Sequence, residues 1–197
     1  MSKLTLVTGG ARSGKSRFAE LLAKSTGKPV IYVATAQVGD EEMAQRVAKH
    51  RQTRPPEWHL IEEPIKVIEV LAKFRDDDVT ILLDCVTLWL TNLLLATEAA
   101  ERSDPEETER DILQQVAAVA QTAATIQPNV IFVTNEVGQG IVPENVLARA
   151  YRDLAGRANQ ILARAAATVY LVVAGYPLEI KQTGQRLLDL LAERPLH

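Results

Sequence analysis

The chain has 197 residues, 47% of them hydrophobic and 24% charged, with a formal net charge of −3. That balance suits one domain spanning residues 1–197 with a substantial core, and it excludes a general nucleic-acid binder, which needs a strongly basic face. The one cysteine, Cys85, rules out an internal disulfide and fits a reducing cytoplasm. The opening MSKLTLVTGG runs straight into a strand and a glycine turn and does not read as a signal peptide. The most apolar stretch, residues 86–96, is too short and too interrupted to span a bilayer.

In chain order, apolar strand-like runs alternate with helical patterns. Leu4–Thr8 reads as a short buried strand, and Phe18, Leu21 and Leu22 behind it mark one helical face. Residues 30–35 read as a second strand. Asp40 can cap a helix carrying Met43 and Val47 on one face. Pro64 can open a further helix with Ile65, Ile68 and Leu71 inward. Residues 79–84 form a third strand ending in a carboxylate, and a leucine-rich helix around residues 88–95 follows.

After a polar break, Ser103 and Glu106 fit a capping box with Pro105 in the first turn. Ile112, Val116, Val119 and Ala123 then keep a 3.6-residue period. Residues 130–136 read as a fourth strand with a polar end. A glycine-containing loop leads into a long helix over about 144–166, with Leu147, Tyr151, Leu154, Ala158, Ile161 and Leu162 inward. Thr168–Val173 is a fifth strand, and a short leucine-bearing helix starts near Thr183. Strands apolar on both faces and separated by helices predict an α/β fold with a mostly parallel sheet covered on both sides. Ligands of such sheets sit beyond the carboxyl ends of the strands. Here those ends are residues 9–16, 35–37, Asp84 and 134–136, all polar or glycine-rich.

The stretch GGARSGKS, residues 9–16, matches the phosphate-binding pattern GxxxxGK[ST], with Gly9, Gly14, Lys15 and Ser16 in place. Glycines let backbone amides turn inward around phosphate oxygens, and the helix that follows presents its N-terminal amides and dipole to the same anion. Lys15 would bridge the outer phosphates, and the Ser16 hydroxyl would ligate Mg²⁺. Asp84, at the end of an apolar strand, reads either as the carboxylate that holds Mg²⁺ waters or as the cap of the next helix. Glu136 reads equally as a group orienting a hydroxyl or water and as a structural acceptor. Cys85 reads as core packing.

The segment MAQRVAKHRQTRPPEW carries one histidine among cations: His50 follows Lys49 and precedes Arg51, with Arg46 and Arg54 about a turn either way. Arg46 and His50 share a helical face, and Pro55 ends that helix near Thr53. Two readings stand. One is a solvated basic face. The other is a nucleophile kept neutral by neighbouring positive charge, although a helix C-terminus favours the charged ring. The same cations would stabilise a polyphosphate under attack.

VTGGARSGKS, YVATAQ, RVAKHRQTRPPEW, LLDCVTLWLTNLL, VTNEVGQGIVPEN and YRDLAGRANQ, in this order over about residues 4–181, resemble the bifunctional adenosylcobinamide kinase / adenosylcobinamide-phosphate guanylyltransferase family of cobalamin biosynthesis. The resemblance implies a RecA-like P-loop NTPase domain, cytoplasmic and assembled as a homotrimer. It implies ATP and GTP as substrates alongside adenosylcobinamide, with Mg²⁺ as cofactor. The hydroxyl of adenosylcobinamide is phosphorylated first. GMP is then transferred to that phosphate through a covalent guanylyl-histidine, which falls on His50 here. The family's nucleotide contacts fall on Gly9, Gly10, Ala11, Arg12, Ser13, Gly14, Lys15 and Ser16. Further contacts fall on Ala34, Thr35 and Ala36, on Arg51, Gln52, Thr53 and Arg54, and on Glu62 and Asp84. The catalytic residues are then His50 and Lys15, and the metal residues Ser16 and Asp84. The tail beyond about Lys181 exceeds the family pattern. A plain P-loop small-molecule kinase would use Lys15, Ser16 and Asp84 without His50, and a non-enzymatic nucleotide-dependent switch would use the P-loop alone.

Overall fold

The computed structural model describes residues 3–37, 55–99 and 104–192. His50, its neighbours from Asp40 to Arg54, and Ser103 therefore lie outside the described residues. Seven described strands form one sheet in the order β3-β2-β4-β5-β1-β6-β7. They are β1 (Leu4–Thr8), β2 (Val30–Ala34), β3 (His59–Glu62), β4 (Thr80–Asp84), β5 (Asn129–Val133), β6 (Thr168–Val173) and β7 (Tyr176–Glu179). Neighbours from β3 to β6 run parallel, and β7 pairs antiparallel with β6. The described helices are α1 (Lys15–Ser25), α2 (Val67–Lys73), α3 (Val86–Ala99), α4 (Pro105–Thr125), α5 (Val146–Ala165) and α6 (Lys181–Ala192).

The strands form because short runs of Val, Ile, Leu and aromatic residues can bury both faces of a pleat. The alternation is regular. Leu4, Leu6, Ile31, Val33, Ile81, Leu83, Val130 and Phe132 point into one core cluster with α2, α3, α4 and α5. Val7, Val30, Tyr32, Leu82, Ile131 and Val133 point into a second cluster with Ala19 and Ala23 of α1. Among the described residues, one face thus carries four helices and the other carries α1. The fold is α/β, with a mostly parallel sheet, helices on both faces and the glycine-rich loop between β1 and α1.

Several local expectations need correction. On α1 the inward residues are Ala19 and Ala23, with Phe18 and Leu22 at the margin, while Leu21 is 56% exposed. Small residues win that face because the helix lies close against the sheet. The helix after Pro64 starts at Val67 and buries Val67, Val70 and Leu71, leaving Ile68 42% exposed. Before it, the Glu63 carboxylate accepts from Ile65 N at 2.9 Å and Lys66 N at 2.7 Å, which makes a turn of the residues read as helix.

The cap of α4 is Asp104, whose side chain accepts from Glu106 N, with Pro105 behind it; the predicted cap, Ser103, is one residue too early. Helix α5 starts at Val146 under an Asn145 cap, and Leu147 is exposed. Strand β5 stops at Val133, although Thr134 N still donates to Val7 O and Glu136 N to Gly9 O. Two edge strands, β3 and β7, escape the sequence pattern. Both are four residues long and mostly exposed, so neither has an apolar run to announce it. Helix α6 buries none of its residues. It is anchored at its start, where the Lys181 ammonium donates to the carbonyls of Ala163, Arg164 and Ala166 at the end of α5.

Candidate active site

The carboxyl ends of β1, β2, β4 and β5 gather the predicted site. Strand β1 runs into the loop at residues 9–14, and α1 begins at Lys15. Gly14 stands before the helix at φ 96, in left-handed backbone, and no side chain caps the helix among the described residues. The first amides of α1 are therefore left to whatever the loop holds. Gly14 is also needed for space, since a Cβ there would lie 3.1 Å from Gly175 Cα. Gly175 N in turn donates to Ser13 O at 2.8 Å, so the loop rests on the β6–β7 turn. A Cβ on Gly9 would fall 2.5 Å from Val172 O and 2.6 Å from Ser13 Oγ. Ser13 Oγ and Thr8 Oγ1 are buried with no hydrogen-bond partner among the described residues. Unmet hydroxyls at a loop are the capacity an anion or water satisfies.

Lys15 is 8% exposed, and its ammonium donates to Gly10 O at 3.1 Å, folded across the loop. Burial lowers its pKa, against the opposing pull of Asp84 and Cys85. Removing a cation from water is costly, so its charge stands ready for an anion that compensates it. Arg12 is exposed at φ 57, and Ala11 and Gly10 are exposed beside it. Ser16 is half-buried in the first turn of α1.

Opposite the loop, Asp84 ends β4. Its Oδ2 accepts from the Tyr32 hydroxyl at 2.9 Å. The first helical bond of α3 runs from Trp89 N to Cys85 O, which puts the cap position at Cys85 and separates Asp84 from capping duty. Strand register sets Asp84 level with Ala34, and Ala34 level with Glu62, so Glu62 lies two strands away on the edge. Glu62 is exposed.

Thr35 is fully buried. Its Oγ1 donates to Cys85 O at 2.7 Å and accepts from Cys85 N at 3.0 Å, while its carbonyl accepts from Asn92 Nδ2 at 2.7 Å. These groups tie β2 to the start of α3, leaving half-buried Ala36 as the open residue of the three. Cys85 packs in the core as predicted, and burial pushes its thiol up to about 11. Glu136 is a structural acceptor: its Oε1 takes the Gly138 amide at 2.9 Å.

Several polar residues were missed. Asn135 Nδ2 donates to Thr87 Oγ1 at 2.7 Å, Tyr151 OH to Thr87 O at 2.8 Å, and Thr134 Oγ1 to Asn159 Oδ1 at 2.7 Å. This network locks β5, α3 and α5 behind the site. Lone Asn and Thr residues carry no periodic signal, although Thr87, Thr134, Asn135, Tyr151 and Asn159 all stand inside motifs that carry the family resemblance. Arg51, Gln52, Thr53 and Arg54 lie outside the described residues, as does His50.

Comparisons with known proteins accord with this geometry. A family profile described as cobinamide kinase / cobinamide phosphate guanyltransferase matches residues 5–180. The bifunctional adenosylcobalamin biosynthesis protein CobU of Escherichia coli strain K12 is 45% identical over 183 residues, covering 90% of this chain and 99% of that protein. Protein CobP of Pseudomonas aeruginosa, with the same description, is 42% identical over 176 residues, covering 89% and 96%. Among solved structures, an ATPase from the type III secretion system of pathogenic bacteria superposes with a TM-score of 0.56 at 11% identity, covering 98% of this chain and 54% of that one. A Pyrococcus horikoshii OT3 protein gives 0.51 at 8% identity over 90% of this chain and 86% of that one. At such identities these two speak for the fold alone.

Proposed function

The chain belongs to the cobinamide kinase / cobinamide phosphate guanyltransferase family, and we propose on that premise that it performs both reactions on adenosylcobinamide. ATP or GTP phosphorylates the aminopropanol hydroxyl. GMP then passes from GTP to that phosphate, giving adenosylcobinamide-GDP and pyrophosphate. The observation that carries this reading is the loop at residues 9–16, with buried Lys15 folded across it and an uncapped α1 behind it. In the first step, Lys15 and the α1 amides hold the transferring phosphoryl group and its developing charge. In the second, a His50 ring nitrogen forms a bond to the α-phosphorus as the bond to pyrophosphate breaks. The substrate phosphate oxygen then displaces His50, which regains its free ring. Lys49, Arg51 and Arg54 in the same segment supply positive charge to the triphosphate.

Ser16 and Asp84 fit Mg²⁺, because a hydroxyl and a carboxylate are hard oxygen donors and Mg²⁺ keeps waters and substrate phosphates as its other ligands. When bound, the ion would neutralise phosphate charge. Two protein ligands suffice for such a site, and among the described residues no cluster of three His, Cys, Asp or Glu competes for it. We extend the reading to one catalytic domain over residues 1–197, cytoplasmic and homotrimeric, with nucleotide contacts at Ala36, Glu62, Arg51, Gln52, Thr53 and Arg54. No described helix is long and apolar enough to cross a membrane.

The test is incubation with GTP labelled at the α-phosphate. A protein-bound label that is acid-labile and alkali-stable, and absent in His50→Ala, is expected of a phosphoramidate. Label retained in His50→Ala overturns the nucleophile. Phosphorylation of cobinamide without any labelling reduces the protein to a kinase.

A further inference from the structure

Tyr32 joins two parts of the site that the sequence treats separately. Its ring is 2% exposed within β2, and its hydroxyl reaches Asp84 Oδ2 at 2.9 Å. Register explains the reach. Tyr32 pairs with Leu82, and Asp84 lies two residues further along β4 on the same face. A tyrosine is long enough to cover that step, and a phenylalanine ends short of the carboxylate. The ring stacks on Trp58, with centroids 6.1 Å apart and planes 28° apart, and Lys24 of α1 lies over the Trp58 ring at 6.0 Å. Tyr32 is therefore held from one side by an aromatic partner while its one O–H is aimed at one carboxylate oxygen.

We propose that Tyr32 is a positioning residue for the metal carboxylate, kept in register by Trp58. A donor on Oδ2 fixes the carboxylate rotamer and would leave Oδ1 to hold a metal-bound water. Partners of this kind typically govern metal affinity by about tenfold to a hundredfold when removed. The proposal rests on Asp84 being the Mg²⁺ carboxylate.

The test is GTP binding to the full chain, measured by calorimetry in Mg²⁺ and in EDTA, for Tyr32→Phe, Trp58→Ala, Trp58→Phe and Asp84→Asn. Tyr32→Phe keeps the ring and its stack and removes the hydroxyl that donates to Asp84. The expected result is about a tenfold loss of GTP affinity in Mg²⁺ with unchanged affinity in EDTA. Trp58→Ala should show a smaller loss of the same Mg²⁺-dependent kind, and Trp58→Phe should restore it. A Tyr32→Phe protein with the wild-type Mg²⁺ response overturns the proposal, as does an equal loss in both buffers, which a merely structural role would give. If Asp84→Asn loses the Mg²⁺ response and Tyr32→Phe keeps it, the positioning role fails alone. If Asp84→Asn also keeps it, the metal reading itself fails.

Discussion

In the loop at residues 9–16, the defining contacts are made by backbone: Gly175 N to Ser13 O, Ser13 N to Gly10 O, and the close approaches that admit no Cβ at Gly9. Across the site, the ends of β2 and β4 are set by side chains: Tyr32 on Asp84, Thr35 on Cys85, Asn92 on Thr35. The loop shapes itself to an anion through free amides and a buried ammonium. The strand ends present one carboxylate, Asp84, with one oxygen already bonded to Tyr32. The first region should fail when space or charge changes, and the second when a hydrogen-bond partner is removed.

The largest break is Lys15→Ala. On the proposed reading both reactions use the same cradle, so kinase and guanylyl-transfer rates should each fall by about a hundredfold or more; separate assays of the two steps check this, and loss of only one would divide the site. Next comes a pair of neighbouring glycines. Gly9→Ala forces a Cβ against the Val172 carbonyl and should lower unfolding free energy by about 3 kcal/mol. Gly10→Ala meets nothing within 4 Å and should stay within about 0.5 kcal/mol of wild type in the same denaturant titration.

On the other side of the comparison, Thr35→Val keeps the volume and strips the acceptor from the buried Cys85 amide. A loss of about 2 kcal/mol is expected from thermal or denaturant unfolding. The smallest effect is chemical. With its thiol pushed from 9.0 to about 11, folded Cys85 resists alkylation. At pH 9 only about 1% is thiolate in the fold against about half in the unfolded chain. The unfolded thiol ionises first, so this group takes stability away as pH rises above about 9. Iodoacetamide labelling with and without denaturant reads the difference.

Much of this was legible beforehand. The five interior strands were found because each is an apolar run, and the loop was found because glycine, lysine and serine at fixed spacing have one common purpose. The edges were harder. Strand β3, HLIE, borrows its shape from β2 through Ile31–His59 and Ala34–Glu62 pairing, which a local pattern does not contain. Leu21 and Ile68 were assigned inward because hydrophobicity names a helical face only approximately, and packing buries Ala19 and Ala23 of α1 and Val67 and Val70 of α2 instead. The resemblance puts a nucleotide contact at Thr35, and packing adds what no motif states, that its hydroxyl bonds both the carbonyl and the amide of Cys85.

The sequence by itself determined the parallel sheet, the phosphate loop, the carboxylate at the end of β4 and the family to which these motifs belong. Those features are written in short stretches whose local chemistry is sufficient. Only the tertiary structure decided that Tyr32, fifty-two positions from Asp84, supplies its partner. It likewise decided that Gly175 underlies Gly14, that Cys85 rather than Asp84 stands at the helix cap, and that Glu136 holds a turn. Such pairings depend on strand register and on which face each residue presents, and both are settled by packing the whole sheet at once.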